Sequence, residues 1–471
     1  MSASQGEGVP SYLAELSLRH STTFCCLLPA VVGLLLMAAC GGRQPTPAGE
    51  TPPVAVTPTT PQANAAPETK RPPAPPAPNV SILTIWGPDF MAPLDDVPGG
   101  AVLASQIQAF EQAHPGWQVR YVRKKPYSQG GLVHFLRATR AVAPELLPDL
   151  VLLDMSEISL LAQDQVPWFQ PLGPLLGEEI TSDLAPFAQE AGRVGDELVA
   201  IQYEADLRFL AYNSAIIAEP PNTWADILAS QATYLLPIGA SEGAVRDGFL
   251  PQYLAVGGKL VDRDGLPYLD KALVAAVLEV YQSAEQADLL PAAGFDLKDA
   301  SDCWPVYLMS RAGMTNVNSW DYGRERASRL AATRVGPLPT LSGTLISLSN
   351  GWGWVLLSGK ASRQAVAVEF LRSILQPEAM AAWSRQTYHL PTRKSALALT
   401  VNDPEYLEFL QKLMEVAVPQ PREPVYSLAT AALSEAVESV TRGRLSPQEA
   451  AAEAAEKVRA AREELGTTSQ Y

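Results

Sequence analysis

PDLVLLD (148–154) and its companion VSILTIW (80–86) decide the fold of this chain. Each is a nearly unbroken apolar run bounded by polar or turn-forming residues. Alternating apolar and polar residues would mark a strand with one wet face, whereas a continuous run marks a strand covered on both. Between the two, residues 101–114 carry apolar side chains at Leu103, Ile107, Phe110 and Ala113, a helical spacing that stops at Pro115-Gly116. Residues 117–122 read as a further strand and 132–142 as a further helix. Strand, helix, strand, helix, strand is the order of a parallel sheet with helices on its faces, so the fold class is α/β.

Downstream the rhythm changes. DELVAI (196–201) and LRFLAY (207–212) read as strands, the first leading out of the opening sheet. Pro220-Pro221-Asn222-Thr223-Trp224 opens a helix with Thr223 as its N-cap. Residues 259–269 read as a hairpin turning at Asp264-Gly265. Asp262 and Asp264 imitate a fragment of a calcium loop, but the remaining ligands and the closing glutamate are missing, so a turn is the better reading. Residues 273–287, 363–375 and 377–387 read as helices, 334–339 as a short extended return and 345–357 as containing a strand. Ser446-Pro447-Gln448-Glu449 is a capping box that launches a last, alanine-rich helix to about residue 465.

Upstream, sixteen apolar or small residues, Phe24 to Ala39, run uncharged into Cys40 behind a lone Arg19. A membrane span needs about 20 such residues, so 1–39 reads as an export signal. Its end, Leu36-Met37-Ala38-Ala39-Cys40, resembles a lipobox and marks Cys40 as the lipid-attachment residue. Residues 40–79 are rich in Pro, Thr and Ala. With almost no large apolar side chain they cannot offset the entropy of ordering, and they read as a disordered tether.

About 390 residues follow the tether, more than one ordinary core holds, which predicts two lobes. The net charge of −15 and the lack of any basic run interleaved with aromatics argue against nucleic acid. Beyond the tether Cys303 is the one cysteine, so it has no disulfide partner there and reads as a small buried apolar residue. His114, His134 and His389 are too scattered for a metal site, and no phosphate loop or nucleophile elbow points to a cofactor or an enzyme.

Several segments together resemble family 1 of the extracellular solute-binding proteins, the receptors of ABC importers of the maltose type. They are Phe110-Glu111 through His114-Pro115-Gly116, the Pro148-Asp149 strand, and Tyr212-Asn213 followed by Pro220-Pro221-Asn222-Thr223-Trp224. Further along come Gly257-Gly258-Lys259-Leu260, Ala312-Gly313-Met314 leading to Asn318-Ser319-Trp320, Val335-Gly336-Pro337-Leu338-Pro339, Gly351-Trp352-Gly353-Trp354 and Leu390-Pro391-Thr392-Arg393. Two departures stand out: Ser310-Arg311 where Gly-Lys is usual, and Asn350-Gly351 where two glycines are. The resemblance implies a two-lobed periplasmic-binding-protein fold, type II-like, with the ligand in a cleft between lobes joined by crossing strands. The lobes expected are 80–203 with 340–374 and 204–339 with 375–465, followed by a tail, 466–471. The crossings are expected near 201–206, 336–340 and 375–377.

Ligands of such sheets sit beyond the carboxyl ends of the strands. Those ends carry Trp86 and Asp154. At the first crossing the resemblance points to Tyr203, Glu204 and Asp206, the two acids sharing a face. It also points to Asn318 and Trp320 in the second lobe, and Trp352 shares a face with Trp354. Tyr388 and Tyr426 are further candidates. Aromatic rings suit the C–H faces of a sugar, and carboxylates and amides suit its hydroxyls. The implied protein is a monomeric, non-enzymatic receptor, lipid-anchored on the outer side of the cell membrane. It binds a carbohydrate and hands it to ABC permease subunits. A polyamine or a glycerol-phosphate-type ester is the alternative ligand, and an extracellular glycan-acting enzyme or a sensor is the alternative class.

Overall fold

The computed structural model describes residues 80–127, 130–310, 312–326 and 332–468. The expected export signal (1–39), Cys40 and the expected tether (40–79) lie outside them, as do residues 469–471 of the tail. Among the described residues no helix is long and apolar enough to cross a membrane.

Three parallel strands open the fold: β1 (Ser81–Pro88), β2 (Trp117–Lys124) and β3 (Leu150–Asp154). β1 lies between the other two, with Ser81 opposite Trp117 and Ile85 opposite Leu150. The connecting helices are Gly100–Ala113 and Leu132–Val142. A small hairpin, β4 (Arg193–Val194) with β5 (Glu197–Leu198), precedes β6 (Ala200–Gln202). The chain then enters a second sheet through β7 (Glu204–Asn213), followed by β8 (Tyr234–Leu235), β9 (Met314–Asn318), β10 (Thr333–Gly336) and β11 (Ser347–Asn350). β12 (Trp352–Leu356) returns to the first sheet, antiparallel between β3 and β6. β13 (Leu390–Pro391) and β14 (Ala417–Pro419) finish the second.

The first sheet buries Leu83 and Ile85 of β1 and Val151 and Leu153 of β3 with Phe370 and Leu371 of helix Ala361–Ile374. In the second sheet β7 is central and serves two cores. Leu210 and Tyr212 join Tyr253, Tyr281 and Leu433 on one face, while Leu207, Phe209 and Ala211 join Trp304, Tyr406 and Leu410 on the other. That is the period of two that a covered strand imposes. Thr223 and Asp226 form the reciprocal cap at the start of Trp224–Ser230, and Ser446 and Glu449 do the same for the last helix, which runs to Thr468 rather than stopping near 465. Cys303 is buried, as expected of a small apolar residue. The Asp262 carboxylate accepts from the N–H groups of Asp264 and Leu266, so it closes its own turn.

The first crossing falls between β6 and β7, within the expected 201–206. The second differs from expectation. β10 and β11 both pair with β7, so the chain stays with the second sheet past 336–340 and crosses at Gly351. A β-carbon on Gly351 would sit 2.0 Å from the Glu204 carbonyl oxygen, so the crossing needs glycine at this position. The third passage is also later than 375–377. Helix Pro377–Thr387 still lies on the first core through Met380 and Trp383, and β13 then pairs with β7.

Beside these crossings Arg208 is only 3% exposed. Its Nε donates to Asp247 Oδ1 at 3.1 Å, and its Nη1 donates to Asn350 Oδ1 at 2.5 Å and to the Asp206 carbonyl at 3.2 Å. Arg246 Nε donates to Asp247 at 2.8 Å, and the Ala300 N–H at 2.9 Å. Burial alone would raise the Asp247 carboxyl, but the Arg246 and Arg208 guanidiniums hold it well below the usual range. A depressed carboxyl adds stability above its ordinary pKa and loses it as the pH falls through the folded value. Asp247→Ala is therefore expected to cost about 3–5 kcal/mol at neutral pH, read as a fall in the urea midpoint. The gap to wild type should narrow below about pH 4; an equal loss at pH 3 and pH 7 would contradict this account.

Candidate functional site

The carboxyl ends of β1, β2 and β3 and the start of β12 meet at one edge of the first sheet. There Trp352 is in register with Asp154. Phe90, just beyond β1, stands edge-on to the Trp352 indole with centroids 5.2 Å apart, and Tyr127, just beyond β2, is tilted against it at 5.8 Å. Phe90 and Tyr127 are 44% and 47% exposed and form a shelf open to solvent, while Trp352, at 6%, is the buried wall of the first core against which they stand. Tyr127 Oη donates to Asp154 Oδ2 at 2.6 Å, while Ser156 donates to Oδ1 through both its N–H and its hydroxyl. Asp154 is thus at once the cap of the turn after β3 and the floor of the shelf.

The second lobe comes close here. Burial, the Asp154 charge and its hydrogen bond, and the charges of Glu157 and Glu242 all push the Tyr127 phenol up. Glu242 lies at the start of the short helix Glu242–Ala244, which leads into a π-helical turn, Val245–Phe249. It accepts from Tyr426 Oη at 3.1 Å and lies 3.7 Å from Arg246. Residues 419–424 reach from β14 to the first lobe: Ser159 Oγ donates to the Glu423 carbonyl at 2.8 Å, and Arg422 donates to the Ala191 carbonyl at 3.1 Å. Between Asp154, Asn350 and Arg422 remains a cavity of about 10 Å³, room for one water. The lobes are in contact along this side of the seam.

A second group gathers around the first crossing. Glu204 Oε2 accepts from Trp383 Nε1 at 2.7 Å, and its Oε1 lies 4.0 Å from His389 Nε2. The His389 ring stacks on half-buried Trp320 at 6.0 Å and 15°, with the Arg324 guanidinium 4.3 Å from the same indole. Asp206 Oδ1 accepts from Ser319 Oγ at 2.7 Å and from the Trp320 N–H at 2.8 Å. Tyr388 stands exposed at the end of helix Pro377–Thr387.

Asp154 is thus brought together with Trp352, and Glu204 and Asp206 with Trp320. Three expected residues lie elsewhere. Trp86 is buried in the first core under the Lys124 ammonium, because β1 is covered on both faces. Tyr203 is buried in the first core, wedged between Trp354 and Trp383. Asn318 caps helix Ser319–Glu325 with its Oδ1 and donates to Ser301 Oγ with its Nδ2, so its amide is committed to the fold. Tyr426 is likewise buried. Phe90, Tyr127, Glu157, Glu242, Asn350 and His389 were not among the expected site residues. Phe90 and Tyr127 obey the rule that selects Trp86, since each follows the end of a parallel strand.

Burial pushes the half-buried Glu157 carboxyl up to about 8, with the charges of Asp154 and Glu423 adding to it. A carboxyl raised in the folded state costs nothing below its ordinary pKa of about 4.5, and the penalty grows as the pH rises toward the folded value. Glu157→Gln should therefore leave the melting temperature unchanged near pH 4.5 and raise it by a few degrees at pH 8, about 2–4 °C per kcal/mol. A shift of the same size at both pH values would show that Glu157 is not held protonated.

Residues 105–408, more than half of the chain, match a family model described as bacterial extracellular solute-binding protein. Solved structures share the fold. The cyclic α-maltosyl-1,6-maltose binding protein of Arthrobacter globiformis superposes with a TM-score of 0.68 at 17% identity, covering 81% of this chain and 98% of that one. The sugar-binding protein MalE of Xanthomonas citri gives 0.64 at 18%, covering 80% and 96%. An ABC transporter solute-binding protein of Thermotoga lettingae bound to α-D-tagatose gives 0.58 at 21%, covering 80% and 98%.

Proposed function

We propose that this chain, which belongs to the family of bacterial extracellular solute-binding proteins, is the lipid-anchored receptor of an ABC importer and takes a sugar or oligosaccharide into the seam between its lobes. The observation that carries the reading is the solvent-open shelf of Phe90 and Tyr127, backed by buried Trp352, with the Asp154 carboxylate at its floor. A pyranose lays its C–H face on such rings and donates its hydroxyls to such a carboxylate. Cys40 would carry the anchor, and 40–79 the tether. The names of the structural neighbours, which include maltose-type and tagatose binders, agree with this ligand class.

The protein acts by closure. The three crossings between the sheets bend, and a ligand that touches both lobes only in the closed state shifts the population toward it by its differential affinity. The closed form is the one the permease reads. A micromolar dissociation constant corresponds to about −8 kcal/mol, within reach of stacked rings and several charge-assisted hydrogen bonds.

One observation favours a second ligand class. Asp154, Glu157, Glu242 and Glu423 converge on one stretch of the seam, an arrangement suited to a polyamine or an amino sugar. A thermal-shift screen of neutral sugars, amino sugars, polyamines and glycerol phosphates separates the two. A neutral maltose-type oligosaccharide is expected to raise the melting temperature, adding about 2.7 kcal/mol at 100 times its dissociation constant. Phe90→Ala with Tyr127→Ala, which removes the two exposed rings and leaves buried Trp352 in place, should abolish that shift. A shift by polyamines alone would move the assignment to a cationic solute, and turnover of a chromogenic glycoside would replace the receptor by an enzyme.

A further inference from the structure

At the opposite end of the first sheet, where the chain enters β1, lies a cavity of about 480 Å³. Ile82 and Thr84 of β1 line it together with Arg120, Arg140, Lys360 and Arg363. Its two acidic lining residues are Glu145 and Asp149. Asp149 is buried and neutralised by Arg363, whose Nε donates to it at 2.6 Å. Four cations therefore face two carboxylates, in a chain whose net charge is −15.

The cations are built into place. Arg140 donates to the carbonyls of Val166 and Pro167, both at 2.9 Å, and its guanidinium lies 3.4 Å from the Trp168 ring centre. Arg120 donates to Thr84 Oγ1 at 3.3 Å. Lys360 and Arg120 make no ion pair among the described residues. Lys360 is the N-cap of helix Ala361–Ile374, which carries no side-chain cap of its own, so its first N–H groups add positive potential at the rim. Around the same opening stand apolar side chains that water would normally discourage: Val142 is 85% exposed, Leu146 64%, Val166 60% and Ile82 37%.

We propose that this face docks on an anionic membrane, seating a phospholipid phosphate among Arg120, Lys360 and the helix terminus while Val142, Leu146 and Val166 enter the interface. Charge complementarity is one argument, since basic side chains next to an anionic leaflet gain energy that the rest of this acidic molecule does not. The second is the chain's course. β1 starts at this edge, and the residues before it lead back to Cys40, so the inference rests on the lipid-anchor reading. The expected tether leaves the head free to turn, but it keeps the edge where the segment enters within reach of the bilayer, so the charge and the apolar rim decide the orientation. Apolar side chains beside cations are the composition that interfacial binding requires. Docked this way, the aromatic shelf at the other end of the sheet points away from the bilayer.

The test uses the full-length protein with vesicles of phosphatidylcholine alone or mixed with phosphatidylglycerol. Flotation with pure phosphatidylcholine reports the anchor by itself, and its absence would sink the anchor reading only. Docking is then read as hydrogen-exchange protection of 142–147 and 357–363. Protection is expected with phosphatidylglycerol, weakened by high salt, and lost in Arg120→Glu with Lys360→Glu, each substitution weakening the contact at least roughly fivefold. Both residues are exposed, so the double variant should melt with wild type. Should the anchor fail, the same protection and flotation with phosphatidylglycerol vesicles still report docking. Equal exchange with the two lipids overturns the proposal, as does protection that persists in the double variant. Equal protection by inorganic phosphate without vesicles also overturns it, assigning the cavity to a free anion.

Discussion

A guanidinium removed from water must be met on every side, and in this protein that demand falls on Arg208. Its partners come from three parts of the chain: Asp247 from the π-helical turn, Asn350 from the end of β11, and the Asp206 carbonyl from β7 itself. Satisfying one buried charge therefore fixes where β11 ends relative to β7. Gly351 follows at once, pressed against the Glu204 carbonyl, and Trp352 follows Gly351. The position of the aromatic shelf on the first lobe is in this sense inherited from an ion pair in the second. The same network shapes the turn that presents Glu242 and Arg246 to the seam, because Asp247 sits between them and Arg208.

β7 shows how one strand serves structure and site together. Its odd positions, Ala205 to Ala211, are apolar and fill a core. Its even positions change character along the strand, from Glu204, Asp206 and Arg208 at the crossing to Leu210 and Tyr212 deep in the second lobe. The polar half is buried as thoroughly as the apolar half, so each of its groups is committed: Glu204 to Trp383, Asp206 to Ser319 and Trp320. A carboxylate held this firmly is preorganised for a ligand donor that would replace a water, but it is equally what a rigid joint requires. On the first lobe Asp154 also serves twice, as the cap of a turn and as the floor of the shelf, but the rings of Phe90 and Tyr127 above it remain exposed.

The parts legible from sequence are those governed by local rules. Buried parallel strands announce themselves as apolar runs, and β1 and β3 stand where those runs are. Caps announce themselves by residue type and spacing, as at Thr223 and Ser446. Crossings do not, because they depend on which partner a strand selects: Ser347–Asn350 looks like part of one strand with Trp352–Leu356, yet the two pair in different sheets. Site residues fall between these cases. The strand-end rule locates the correct edge, but it does not say which side chain at that edge escapes the core. Trp86 is the last large apolar residue of a strand covered on both faces and is swallowed, while Phe90 and Tyr127, a few residues further into the loops, are free to face solvent. Glu242 and Asn318 illustrate the remainder: one reaches the seam through a π-helical turn, the other leaves it by capping a helix, and neither outcome is written in composition or period.

The first sheet has two chemically opposite ends. At the carboxyl ends of its strands, exposed rings stand over carboxylates, and burial, with the charges of Asp154 and Glu423 adding to it, raises the Glu157 carboxyl there. At the amino end of β1, arginines and a lysine surround a cavity rimmed by exposed aliphatic residues. Parallel pairing enforces part of this contrast. The carboxyl ends of β1, β2 and β3 fall on one side, where loops are free to carry ligand chemistry, and their amino ends on the other, where antiparallel β12 delivers the chain to the start of helix Ala361–Ile374. The helix terminus and the cations beside it therefore share a sign, and a surface of one sign and mixed hydropathy is kept apart from the acid-rich seam by the full length of the strands. That separation is what allows a strongly acidic protein to present one face that an acidic bilayer does not repel.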